Sequence, residues 1–309
     1  MTTEVTKLIH KYLRHDKKFP HVWCPGCGIG IILGSLIRAI DRTGLEKNDV
    51  VLVSGIGCSG RLPVYVDFNT LHTTHGRALT FATGIKLAKP RLKVIVIMGD
   101  GDAVAIGGNH FIHAARRNID LTAIIVNNGI YGMTGGQYSP TTPYGMTSTT
   151  SRYTNIEHAF YIAELAVTAG AAFVGRGTVF HVAMLDSLME KAFMKQGFSV
   201  VEVVSHCHTY YGKLNRMGDA VEMLKWQRDH AVPIGAAGLA PLDGEPAGYS
   251  SSRFVPWFTG PAGSASDSGR TMPPPPDKFT IGVLADRDMP AYEEEYEKIR
   301  KRAREAEEK

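Results

Sequence analysis

Apolar residues in this chain come in short unbroken runs, set between stretches that repeat with helical spacing. Val50–Ser54, Val94–Met98, Leu121–Val126, Ala171–Val174 and Ser199–Ser205 are the runs, rich in Val, Ile and Ala and the right length for strands. Unbroken rather than alternating apolarity marks a strand covered on both faces, the habit of a parallel sheet. Between the runs, Gly28–Arg42, Ala78–Ala88, Gly108–Asn118, Ile156–Ala169 and Val182–Lys195 read as helices. This βαβ rhythm predicts an α/β fold, a doubly wound and mostly parallel sheet with helices on both faces. Ligands of such folds gather beyond the carboxyl ends of the strands. Gly55–Arg61, Gly99–Asp102, Asn127–Gln137 and His206–His208 each follow a run directly, so all four are expected on one rim.

The pattern changes after Asp229. Residues 1–229 read as one binding domain and 230–309 as an extension. Pro, Gly, Ala and Ser dominate up to the tetraproline Pro273–Pro276, which suits either an arm laid on another surface or a plain linker. Ala291–Lys309 has Glu ahead of Lys or Arg at helical spacing and reads as a solvated helix. With 309 residues and 44% apolar content the chain can build a substantial core. A net charge of +4 and a pI near 8.8 fall short of a nucleic-acid binder. The first eighteen residues lack the continuous apolar stretch of a signal peptide or membrane span, which points to the cytoplasm. In a reducing compartment four cysteines suggest metal or redox chemistry rather than disulfides.

Two segments supply hard oxygen ligands. Gly99-Asp100-Gly101-Asp102 ends a buried strand in a turn that presents a carboxylate, and twenty-eight positions after Asp100 stands Asn128, in Asn127-Asn128-Gly129-Ile130. Asp100, the Asn128 amide and the Ile130 carbonyl, with two diphosphate oxygens and a water, would complete a magnesium octahedron. Gly107 and Gly108 open a helix whose first amides are candidates for the phosphates. A lone GDG turn would be only a tight turn with a solvated acid. The pairing with the NN segment, running on into Thr134-Gly135-Gly136-Gln137, resembles the cofactor motif of thiamine-diphosphate enzymes.

The cysteines stand as a Cys24-Pro25-Gly26-Cys27 pair and as singletons at Cys58 and Cys207. By themselves they suit either zinc or an iron–sulfur centre. Trp23–Gly28, Ile56–Arg61, the GDGD and NN segments, Thr134–Gln137 and Ser205–His208 together resemble the β subunits of 2-oxoacid:ferredoxin oxidoreductases, over about residues 20 to 215. The resemblance implies a thiamine-diphosphate-binding, pyrophosphate-type fold and a [4Fe–4S] cluster on Cys24, Cys27, Cys58 and Cys207. It implies a cofactor contacted by Ile56, Gly57, Cys58, Ser59 and His75, the last a catalytic candidate near the diphosphate or reacting carbon, by Gly99, Asp100, Gly101 and Asp102, and by Asn128, Ile130, Gly132, Met133 and Thr134. His206 and His208 either tune the cluster by hydrogen bonds or are incidental, and His72 has no assigned role.

The implied reaction is coenzyme A-dependent oxidative decarboxylation of a 2-oxoacid, with electrons leaving to ferredoxin. 2-Oxoglutarate is the first choice of substrate, with Arg61 a candidate for its far carboxylate. Pyruvate, a branched-chain 2-oxoacid, or a non-oxidative decarboxylase with structural zinc are the alternatives. Gly135 stands where some relatives carry lysine, which puts the substrate-carboxylate contacts in doubt. The glutamate that helps deprotonate thiamine lies on another domain in that family, so an α subunit is the expected partner, in an αβ pair able to dimerise.

Overall fold

The computed structural model describes residues 4–16, 20–234 and 278–307. The first helices are α1 (Glu4–Tyr12) and α2 (Ile29–Thr43). A βα series follows: β1 (Val50–Ser54), β2 (Asn69–His72), α3 (Ala78–Ala88), β3 (Lys93–Gly99), the short α4 (Asp100–Val104), α5 (Gly108–Arg117) and β4 (Thr122–Asn127). The hairpin strands β5 (Ile130–Tyr131) and β6 (Gln137–Tyr138) then lead to α6 (Ile162–Thr168), β7 (Phe173–Thr178), α7 (Val182–Met194) and β8 (Ser199–Val204). The remaining elements are α8 (Ala220–His230), β9 (Ala231–Pro233), β10 (Phe279–Asp286) and α9 (Tyr292–Glu307).

Eight strands form one sheet in the order β2-β1-β3-β4-β8-β7-β10-β9, parallel except between β7 and β10. Alternate residues of each inner strand serve opposite cores. Leu52, Ile97, Val126 and Val203 face α2 and α7, packing on Leu36 and Leu188. Val53, Val96, Ile125 and Val200 face α3, α5 and α6, packing on Leu79, Phe111 and Ile162. Both sides of a strand are therefore apolar, which is why the runs do not alternate. At about 1.5–3 kcal/mol for each fully buried side chain of this kind, the two cores fix the strand register.

β2 and β3 lie on opposite sides of β1. The chain thus reverses its winding direction at the carboxyl ends of β1 and β3, which is where such folds open a ligand crevice.

Two sequence expectations shift. The helix expected over Ile156–Ala169 is confined to α6, because Phe160 N donates to Pro140 O and Tyr161 is extended. The strand expected over Ala171–Val174 begins at Phe173, after a turn in which Gly170 has a φ of 92°. At the C-terminus, β10 pairs with β7 inside the main sheet, so residues 279–286 complete the domain from which they were set apart. The Pro/Gly-rich stretch and its tetraproline lie outside the described residues, and the charged helix is present as α9.

Candidate functional site

β3 delivers Asp100 to the crevice as the first residue of α4, buried to 4% exposure. Its Oδ2 accepts hydrogen bonds from Ser139 Oγ at 2.7 Å and Thr141 Oγ1 at 2.5 Å. Burial pushes its pKa up, and those hydroxyls with the backbone amide of Gly101 only partly oppose this. Among the described residues no basic side chain pairs with it. β4 delivers Asn128, after which Gly129, at a φ of 68°, turns the chain into the β5–β6 hairpin. That hairpin folds Ser139 and Thr141 back over Asp100, while Thr142 Oγ1 fastens Gly129 O at 2.6 Å. Gly101 must be glycine here, since a Cβ would lie 2.2 Å from the Tyr131 ring.

A buried carboxylate whose side-chain partners are hydroxyls, sharing a crevice with an amide oxygen, is a donor set suited to a hard divalent cation. Thr141→Val keeps the shape and removes one donor from Asp100. Were that cation magnesium on a bound thiamine diphosphate, the substitution would weaken its binding about 10–100-fold, read by titration calorimetry. Equal affinity in the two proteins would mean that the hydroxyl does not support the carboxylate.

Asp102, one helical step further, turns instead toward the β2–α3 loop. Its Oδ1 accepts from Gly76 N at 2.6 Å and lies 2.7 Å from His75 Nδ1. Ile56 N approaches the same oxygen at 3.4 Å. Burial raises its pKa, opposed by the Gly76 amide and by His75. Asp102 therefore ties the loops after β1 and β2 to α4. A Cβ on Gly55 would fall 1.8 Å from its Oδ2, so only glycine permits this approach.

The four cysteines come together on the same rim. Cys27 is pushed up to about 12 and Cys58 to about 11, first by burial and then by the other thiols around each of them. Cys207 is raised by burial as well, although the amides of Thr209, Tyr210 and Tyr211 point at its sulfur. As isolated thiols they are poor thiolates; a cationic iron–sulfur centre would reverse that balance. Two ring N–H groups lace the three cysteine segments together. Trp23 Nε1 donates to Cys58 O at 2.7 Å, and His206 Nε2 lies 2.8 Å from Gly26 O. Among the described residues no three ligating side chains converge tightly enough to grip a single metal ion. A cubane takes its four thiolates on separate irons and asks for a looser ring.

One cleft gathers nearly every residue proposed from the sequence. It is lined by Ile56–Ser59, His75, Gly99–Asp102, Asn128, Ile130 and Gly132–Thr134. Gly132 bridges its two halves, since a Cβ there would lie 3.5 Å from Cys207 Sγ and 3.7 Å from Cys58 Sγ. Arg61 does not line the cleft; it stands half-buried in the turn beyond Cys58. Gly107 and Gly108 do not line it either, because Gly107 serves close packing, its absent Cβ facing Asp102 O at 2.3 Å. His72 bonds Ser54 Oγ at 2.9 Å and ties β2 to β1. Ile29, Val126 and the Tyr131 ring are lining residues that the sequence reading did not assign to the site, as are Ser139 and Thr141 behind them.

Residues 55–203 match the thiamine pyrophosphate enzyme C-terminal TPP-binding domain family. The chain is 60% identical to the 2-oxoglutarate synthase subunit KorB of Archaeoglobus fulgidus over 199 residues, 64% of this chain and 74% of that one. It is 51% identical to the subunit of the same name from Methanothermobacter marburgensis over 222 residues, 72% of this chain and 78% of that one. A solved structure of 2-oxoglutarate:ferredoxin oxidoreductase from Magnetococcus marinus, with 2-oxoglutarate, coenzyme A and succinyl-CoA bound, superposes with a TM-score of 0.76 at 32% identity, covering 96% of this chain and 90% of that one. Sequence kinship over most of the relatives' length and a shared fold agree with the cleft: this chain belongs to the β-subunit family of the 2-oxoacid:ferredoxin oxidoreductases, the family of the 2-oxoglutarate synthase subunit KorB.

Proposed function

We propose that this chain is the thiamine-diphosphate- and cluster-binding β subunit of a 2-oxoglutarate:ferredoxin oxidoreductase, working with an α subunit to make an acyl-CoA, carbon dioxide and reduced ferredoxin. The observation that carries this reading is Cys58, which lines the cleft beside Asp100 and Asn128 and also belongs to the four-thiol group. One loop thereby serves both cofactors. When bound, thiamine diphosphate supplies the carbanion chemistry of decarboxylation and a [4Fe–4S] cluster accepts single electrons.

Asp100, the Asn128 amide and the Ile130 carbonyl would hold magnesium on the diphosphate. Ile56, Gly57 and Ser59 would seat the ring end of the cofactor, with His75 opposite. Cys24, Cys27, Cys58 and Cys207 would hold the cluster, with Cys24 exposed and so nearest to an external ferredoxin. The kinship favours 2-oxoglutarate over pyruvate or branched-chain 2-oxoacids. The gathering of the thiols beside the cofactor cleft favours the redox reading over a non-oxidative decarboxylase with zinc.

The test is anaerobic co-expression with the α subunit, then coenzyme A-dependent reduction of a viologen dye. Turnover with 2-oxoglutarate, far ahead of pyruvate, by a brown protein with about four irons in this chain is the expected result. A colourless zinc protein, or dye reduction indifferent to the 2-oxoacid, would overturn the assignment.

A further inference from the structure

α9 is rooted at the end of the sheet opposite the cleft. Tyr292 N donates to Asn118 O, the Glu293 carboxylate accepts from Asp120 N at 3.2 Å, and Gln196 Nε2 donates to Glu294 Oε1. Asn118 and Asp120 lie just before β4, whose other end leads into Asn128. Beyond this root the helix leaves the body, and every residue from Glu294 to Ala306 is exposed. A helix of this length without packing is marginal in water, and α9 is not polar all round. Tyr292, Tyr296, Ile299 and Ala303 recur at i, i+4, i+7 and i+11, the spacing of a coiled-coil seam. Tyr296 is 46% and Ile299 61% exposed.

The charge along α9 changes sign at the middle of that seam. Glu293, Glu294, Glu295 and Glu297 stand before it, and Lys298, Arg300, Lys301, Arg302 and Arg304 after it. Glu295 is held by Lys298 at 2.6 Å and Glu297 by Arg300 at 2.5 Å, but among the described residues Lys301, Arg302 and Arg304 have no ion-pair partner. We propose that α9 is a self-association helix, through which two copies of this chain pair in antiparallel register. A two-fold axis between Glu297 and Lys298 would set Tyr292 against Ala303 of the second copy and Tyr296 against Ile299. The same axis lays each acidic half along the other copy's basic half and opposes the helix dipoles. Glu305, which breaks the basic run, falls past the first turn of the other helix. Apolar seam and charge thus share one centre of symmetry, as self-pairing requires and a different partner does not. Because α9 is rooted away from the cleft, pairing leaves both clefts clear and does not depend on the chemistry proposed for them.

Sedimentation equilibrium on the full-length chain tests this. A contact over one short helix lies at the low end of specific interfaces, below about 1,200 Å², so a dimer with a micromolar Kd is expected. Raising the salt from about 0.1 M to about 1 M cuts the screening length from roughly 10 Å to 3 Å and should weaken it. Ile299→Asp places a charge in the seam and should weaken pairing about tenfold or more. Arg302→Glu sets like charges against Glu295 of the second copy and should also weaken it. Adding Glu295→Arg to that variant re-creates opposite charges only across an antiparallel pair, and should restore the dimer. All three positions are exposed, so the variants should melt with the parent, which separates lost pairing from misfolding. A chain that stays monomeric at high micromolar concentration, a dimer indifferent to Ile299→Asp, or a double exchange that fails to restore pairing overturns the proposal. So does an Ile299→Asp chain that keeps the second copy but loses the α subunit, which would make α9 the dock of that subunit.

Discussion

Replacing Arg176 with methionine lowers the unfolding free energy by about 3–5 kcal/mol. At roughly 2 °C per kcal/mol for a chain of this size the melting temperature drops by about 6–10 °C. Arg176, on β7, is 2% exposed and lies beside Glu202 of β8, its register partner in the sheet. Its Nε donates to Glu202 Oε2 at 2.8 Å and its Nη2 to Glu164 Oε2. Burial opposes its charge, yet the two carboxylates more than compensate and hold its pKa above the usual arginine value. Glu202 is fully buried and also accepts from Asn127 Nδ2 at 2.7 Å and from Ala163 N at 3.2 Å. Without the guanidinium, Glu202 is a buried charge with only neutral donors, the situation that makes breaking a buried pair so costly.

Adding Glu202→Gln to the methionine variant should restore more than half of the lost stability, because it removes that orphaned charge. Calorimetric melts of the three proteins decide it; a single variant that melts with the parent would show that the ion pair carries no such burden. The same network has a functional reach. Asn127 immediately precedes Asn128, so the buried ion-pair network holds the backbone that presents the Asn128 amide to the cleft.

What the sequence made legible follows from which forces act locally. β1, β3 and β4 were readable because both of their faces are buried, leaving polar residues only at the strand ends. β2 was not, since Asn69–His72 lies at the sheet edge with no fully buried residue and lacks an apolar signature. β10 was hidden by its neighbourhood: a strand following a long Pro/Gly stretch reads as part of an arm until its partner β7 is known. In the site, the motif residues on strand ends were found because one rim collects them. Ser139 and Thr141 were missed because nothing in Ser139-Pro140-Thr141 announces a ligand to Asp100. Their role exists only once Gly129 turns the hairpin back. Asp102 was assigned to the cofactor with the rest of the GDGD turn, and only the folded α4 shows it aimed at His75. Arg61 is a candidate for its place beside Cys58, yet the short helix it occupies carries it out of the cleft lining.

Asp100→Asn should separate folding from cofactor binding. The side chains are nearly isosteric, and the hydroxyls of Ser139 and Thr141 can accept from an amide as well as donate to a carboxylate. The substitution also removes a buried charge, one whose raised pKa shows that ionisation there is disfavoured in the free chain. A folded-state pKa above the unfolded value means that the wild-type chain loses stability as pH rises through that range, a loss the asparagine lacks. The free variant should therefore melt at or above the parent at neutral pH. Loading reverses the order. At a magnesium–thiamine diphosphate concentration of 100 times its Kd, the parent gains about 2.7 kcal/mol. The variant replaces a charged ligand by a neutral one, and since outer-shell changes alone cost 10–100-fold in metal affinity, its own affinity should fall by about 100-fold or more. At the same concentration its gain then shrinks to about 0.4 kcal/mol or less. Thermal melts with and without magnesium and cofactor read both effects in one experiment. A variant stabilised by the cofactor as strongly as the parent would show that Asp100 is not the carboxylate that holds the metal, and the oxygen cradle between β3 and β4 would have to be assigned anew.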